Sequence, residues 1–120
     1  MKIASMTGNE VCDDACPVRR TAEVIGYKWT TLIVRDLLSG KKRYSELLRS
    51  VGGISPRLLA ERLRELEAKG LLTRTAYPTV PPSTEYELTP LGRKLESVIE
   101  AMARFGTAMR EAQGPGATSS

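Results

Sequence analysis

The hydrophobic pattern of the chain changes period twice. From Lys28 to Leu38, Trp29, Leu32, Ile33 and Leu37 fall three and four residues apart, the spacing of a helix with one buried face, and Gly40 ends the run. Leu59, Leu63 and Leu66 form a second stripe of the same kind. The period then shortens. Thr84, Tyr86 and Leu88 alternate with Glu85 and Glu87, as a half-buried strand requires, and a preceding strand is expected over about Leu71–Tyr77. Pro78, Thr79, Val80, Pro81, Pro82 and Ser83 separate the two. After Thr89-Pro90 the helical period returns and runs to about Ala112.

Boundary residues sharpen this picture. A first helix should begin after Cys16, with Pro17 in its first turn, where a missing N–H costs nothing, and stop near Gly26. A short third helix should follow Ser45 as N-cap, with Glu46 placed to meet the positive end of the helix dipole, and end at Gly52-Gly53. The fourth has the fullest set of signals: Ser55 to cap it, Pro56 at its first position, Lys69 in its last turn and Gly70 to stop it. The order is four helices, a hairpin and a final helix. A short helix, a glycine turn, a second helix and a hairpin make a winged helix-turn-helix, so the fold class is mainly α with a small β-hairpin.

The leucine stripe of the fourth helix leaves an opposite face bearing Arg57, Glu61, Arg64 and Ala68, with Ala60 on its flank. A helix that enters the major groove needs this division: one side buried, the other narrow and armed with side chains long enough to reach base edges. Ser55, Pro56 and Arg57 open the helix, the end expected to enter deepest. An amphipathic surface helix would show the same pattern. The short helix before it and the hairpin after it favour the recognition helix. Lys41, Lys42 and Arg43 form a basic cluster before the third helix, suited to phosphate contact or to simple solvation.

The last helix carries Leu91, Leu95, Val98, Met102, Phe105 and Met109 in unbroken steps of four and three, widened by Ile99. At about 1.5 Å per residue it would span roughly 35 Å, longer than so small a body can cover. A helix-helix dimer seam is therefore expected, with packing on its own domain as the alternative.

Length and composition narrow the rest. At 120 residues the chain is expected to form one domain over 12–112, with a flexible N-terminus at 1–11, the dimerisation helix at about 90–112 and a disordered tail at 113–120. The net charge of +4 is a mild bias toward polyanions. No apolar run reaches the roughly 20 residues of a membrane helix and no leader-like stretch opens the chain, so the expected compartment is the cytosol. There is no histidine, no phosphate-binding glycine loop and no metal-ligand cluster, which argues against an enzyme, a metal and a cofactor. Cys12 and Cys16 are too few for a disulfide framework, and a reducing cytosol would keep them as thiols. Cys16 precedes Pro17 at the head of the first helix. There the dipole, with Arg19 and Arg20, favours a reactive thiolate, while Asp13 and Asp14 oppose it. Cys12 could resolve it, within one chain or between two; the plain alternative is a buried structural cysteine.

Short segments in a fixed order add a resemblance: Cys16-Pro17; Ile25-Gly26 with Lys28-Trp29; Arg43-Tyr44-Ser45-Glu46-Leu47; Gly53-Ile54-Ser55; Leu63-Arg64-Glu65-Leu66-Glu67 with Gly70-Leu71; Glu85-Tyr86 with Leu88-Thr89-Pro90-Leu91-Gly92. Over about Cys16 to Gly106 the chain resembles the HxlR-type bacterial winged helix-turn-helix regulators. The resemblance implies a homodimer built from first and last helices, double-stranded operator DNA with rough two-fold symmetry as partner, and a family cysteine at Cys16 that in some members senses oxidants or electrophiles. The chain departs from the family pattern at Tyr27, where many members have a second glycine, and at Tyr44 and Phe105, which replace phenylalanine and tryptophan. Pro82-Ser83-Thr84 lacks the basic residue many relatives carry at the wing, which weakens the case for wing–phosphate contact. A winged helix that binds only protein is the alternative function.

Overall fold

A computed structural model describes residues 16–114. The expected flexible N-terminus and most of the expected tail lie outside them. Helix α1 spans Pro17–Ile25, α2 Lys28–Leu37, α3 Tyr44–Val51, α4 Pro56–Ala68, α5 Pro90–Arg93 and α6 Glu96–Gln113. Strand β1 is Lys42–Arg43, β2 Leu72–Tyr77 and β3 Ser83–Leu88. The sheet has the order β1-β3-β2 and both pairings are antiparallel, with Leu72 opposite Leu88 and Tyr77 opposite Ser83.

One core serves all of these elements. Ile33, Val34 and Leu37 of α2 meet Leu47 and Val51 of α3, Leu59, Leu63 and Leu66 of α4, and Leu72, Tyr86 and Leu88 of the sheet. The stripes read from spacing are the ones buried. Burial also raises the Tyr86 phenol above its ordinary pKa. Helix α4 closes with Gly70 at φ +76°, while Gly70 N–H donates to Glu67 and Leu71 N–H to Leu66. That pair of bonds is a Schellman motif, and its left-handed residue favours glycine.

Three expectations are corrected. Helix α3 starts one residue earlier than Ser45 allows, at Tyr44, because Glu46 reaches back and its carboxylate accepts the Arg43 N–H at 2.7 Å. Arg43 is therefore the N-cap residue, and its guanidinium, which only donates, takes no acceptor part in the cap. Lys42 and Arg43 are also a strand, paired with Tyr86 and Glu85, rather than only a loop.

The long final helix is the third correction. It is interrupted at Lys94–Leu95, where N–H groups bond three residues back, Lys94 to Leu91 and Leu95 to Gly92, both at 3.1 Å. The cause is tertiary. Thr89 N–H donates to Leu71 O at 3.0 Å and its hydroxyl to Gly70 O at 2.7 Å, so α5 is seated where α4 ends and β2 begins. A Cβ on Gly92 would lie 2.1 Å from Leu71 O, so only glycine allows this approach. Leu95 and Ile99 then pack on the chain's own core, whereas every residue from 100 to 113 is exposed.

Candidate nucleic-acid interface

Helix α4 is fixed at its N-terminus by three local contacts. Ser55, in extended conformation, accepts the Leu58 N–H on its hydroxyl at 3.1 Å; Pro56 occupies the first position; and the Tyr44 hydroxyl donates to Pro56 O at 2.8 Å. Leu59, Leu63 and Leu66 are at most 1 % exposed, which fixes the rotation of the helix about its axis. Arg57, Glu61, Arg64 and Ala68 consequently face solvent, and Ala60 is half-buried on the flank. Neither Arg57 nor Arg64 makes an ion pair among the described residues.

Arg62, one position along the same helix, behaves differently. Its guanidinium lies 4.4 Å from the centre of the Tyr27 ring and donates to Glu65 Oε1 at 2.8 Å, so its charge belongs to the packing of α4 against the α1–α2 corner. Sequence spacing alone does not separate this arginine from Arg57 and Arg64.

The basic cluster stands beside α4 through Tyr44. Lys41 is 3.9 Å from Glu85, Lys42 donates to Ser39, and Arg43 is exposed. Glu46 is held below the usual carboxylate range by the Arg43 N–H it accepts and by the nearby charges of Arg43, Lys42 and Arg49. Between the head of α3 and the hairpin tip lies an open cleft of about 740 Å³, lined by Arg43, Tyr44, Ser45, Tyr77, Val80 and Glu85 among others. Tyr44 thus joins the cleft to the head of α4. Hydrophobic patterning treats it as core and misses this bridge; a hydroxyl on an otherwise apolar helix face was the available signal. Arg74 of β2, 3.9 Å from Glu67 of α4, is a further exposed cation near the helix that spacing did not single out.

The expected seam residues divide. Leu95 and half-buried Val98 sit on the near side of the helix, whereas Leu91, Met102, Phe105 and Met109 are exposed large apolar side chains. Val18 of α1 is exposed as well. Cys16 is buried, serves as N-cap of α1 with its sulfur accepting the Arg19 N–H at 3.5 Å, and is disulfide-bonded rather than a thiol. Cys12 lies outside the described residues.

A model of the HxlR-like helix-turn-helix family matches residues 24–114. The chain belongs to the HxlR-like helix-turn-helix family. It is 42 % identical over 98 residues to YybR of Bacillus subtilis (strain 168), named an HTH-type transcriptional regulator, covering 82 % of this chain and 78 % of YybR. Among solved structures, a Porphyromonas gingivalis W83 chain assigned to the MarR family of transcriptional regulators superposes with a TM-score of 0.77 at 42 % identity, covering 82 % of this chain and 96 % of that one. The redox regulator HypR in its oxidised form gives a TM-score of 0.72 at 43 % identity, covering 79 % and 98 %. HxlR-like relatives are thus transcriptional regulators rather than enzymes, on a winged-helix fold. No helix among the described residues is long and apolar enough to cross a membrane.

Proposed function

We propose that the chain is a sequence-specific DNA-binding regulator, working as a homodimer on a roughly palindromic operator, whose affinity responds to the thiol state of Cys16. The observation that carries the DNA reading is the face of α4, where Arg57 and Arg64 stand free of ion pairs on a helix whose rotation three buried leucines fix. Arginines held this way can pair bidentately with guanine. Arg43 and Lys41, beside the head of α4, supply phosphate contacts that position the protein without reading sequence. The exposed apolar residues of α6 supply the dimer seam, which sets two recognition helices at half-sites about one helical turn apart.

The thiol reading rests on Cys16 at the N-cap of α1 and on the similarity to HypR, a redox regulator. The N–H groups of the first turn stabilise a thiolate there. Closing two thiols to a disulfide releases two electrons and two protons, which a peroxide takes up as it is cleaved to alcohol and water. Cys12 supplies the second thiol, from the same chain or its partner.

The test uses a duplex of about 30 base pairs, three helical turns, enriched from a random pool by the wild-type protein. Arg57→Ala and Arg64→Ala should each lose about 1–3 kcal/mol of affinity for it, with unchanged melting temperature. Wild-type affinity should fall with salt at a log–log slope of roughly −5 to −9, as six to ten neutralised phosphates require. A flat salt response, or variants that bind as tightly as wild type, points instead to a winged helix that binds only protein.

A further inference from the structure

From the hairpin tip we infer that the wing of this chain reads the DNA minor groove through an uncharged, braced tip, with Val80 as the side chain that enters the groove. The inference rests on the DNA-binding reading above and extends it to a surface that reading leaves without a role.

Val80 is 99 % exposed, more than any other large apolar residue among those described. Single exposed apolar side chains are common and decide nothing alone. What sets this one apart is where it is held and how firmly. The β2–β3 ladder continues to the Tyr77–Ser83 pair, directly below the tip. The Thr79 hydroxyl donates to Pro81 O at 2.8 Å and lies 3.4 Å from the Ser83 hydroxyl, while the Tyr77 hydroxyl donates to Glu85 at 2.9 Å. Pro78, Pro81 and Pro82 remove further backbone freedom. A tip ordered before binding has little entropy left to lose on contact.

Charge selects the kind of surface it meets. Residues 78–84 contain no charged side chain, so the tip has nothing with which to hold a phosphate. The floor of the minor groove is the part of duplex DNA that phosphates do not dominate, and apolar side chains enter it in other minor-groove proteins. An A·T pair offers only acceptors there, whereas G·C adds the guanine amino group. A valine at the floor would bury that donor without an acceptor, so A·T pairs should be preferred.

Position agrees. Tyr44 holds the head of α4 through Pro56 O and lines the same cleft as Val80, so helix and tip are neighbours on one side of the molecule. Six-residue strands rise about 20 Å, comparable with the half-turn, about 17 Å, that separates the major groove from the next minor groove. The backbone strand between those grooves would cross the cleft under exposed Arg43. Glu85, the acid in that cleft, is already engaged by Tyr77 and Lys41.

Inosine separates this contact from all others, since an I·C pair resembles A·T in the minor groove and G·C in the major groove. The probe is the enriched duplex, with the base pairs flanking each half-site changed from A·T to I·C or to G·C. Wild type should bind the I·C form like the A·T form and the G·C form about five- to tenfold more weakly. Val80→Ser should bring that ratio close to one while leaving the salt slope unchanged, because no phosphate contact is lost. Val80→Lys should steepen the slope by about 0.9 for each phosphate newly touched.

If I·C behaves like G·C, or if Val80→Ser keeps the wild-type ratio, the tip is not in the minor groove. Conversion of Val80→Asp to monomer in sedimentation would place the tip against a second copy instead and overturn the inference. A pool that yields no salt-dependent binder removes the DNA reading itself. A binder indifferent to its flanks removes only the wing.

Discussion

Phe105 lies on the outer side of α6 with 66 % of its surface exposed, and in the proposed dimer a second copy of the helix covers it. A phenylalanine side chain carries about 150–250 Å², so roughly 100–165 Å² is available for burial, worth about 2.5–4 kcal/mol per protomer at 25 cal/mol per Å². Two-fold symmetry doubles the loss on Phe105→Ala. Alanine keeps its own Cβ and part of any seam stays wet, so about half of the doubled value, roughly 2.5–4 kcal/mol, is the working figure. The dimer dissociation constant should therefore rise at least about fiftyfold. The folded protomer should be untouched or slightly firmer, since the site is exposed and alanine is the better helix former. Sedimentation equilibrium over a range of concentrations measures the first quantity, and denaturant unfolding of the monomeric form measures the second. An unchanged dissociation constant would refute the seam; a loss of protomer stability of similar size would mean that Phe105 packs on its own chain.

Three other outcomes are expected. Operator affinity measured before and after mild peroxide should change in wild type and not in Cys16→Ser; identical responses would make Cys16 structural. Gly92→Ala should destabilise the fold by about 1–3 kcal/mol in thermal melts, because the new Cβ meets Leu71 O. For Glu46, the folded-state pKa is lowered, so its contribution is present above the unfolded value and lost as pH falls through the folded one. Wild type should then lose stability on acidification below about pH 5 more steeply than Glu46→Gln, and parallel curves would show that the contact contributes nothing.

Local chemistry explains which parts of the molecule were legible in the sequence. Helix α4 was readable end to end because Ser55, Pro56 and Gly70 act on neighbours within a few residues. The division of its faces followed from leucine spacing alone. Elements shaped by distant contacts were not readable. The break at Lys94–Leu95 arises from Gly92 approaching Leu71, twenty-one positions away, while the apolar steps run through it unbroken. A two-residue strand such as β1 has no period to detect, and its pairing depends on β3. The cap of α3 was misplaced because Ser45 is the better capping residue by type, whereas Glu46 made Arg43 the boundary by reaching backward. Arg62 and Arg64 are alike in composition, and only the position of Tyr27 assigns one to packing and leaves the other facing solvent.

The seat of α5 also has a mechanical consequence. Thr89 and Gly92 fasten the start of the putative spacer between reading head and partner to Gly70 and Leu71, the residues where α4 stops, and Leu95 and Ile99 fasten it again beyond the break. No slack segment separates the base-reading helix from the helix that meets the second copy. Such a frame behaves as a fixed caliper. One base pair inserted between half-sites turns the far site by about 35° and carries it 3.4 Å along the axis, and the deformation must then be absorbed by the DNA. Phasing of the half-sites, as much as their sequence, becomes part of what this molecule recognises.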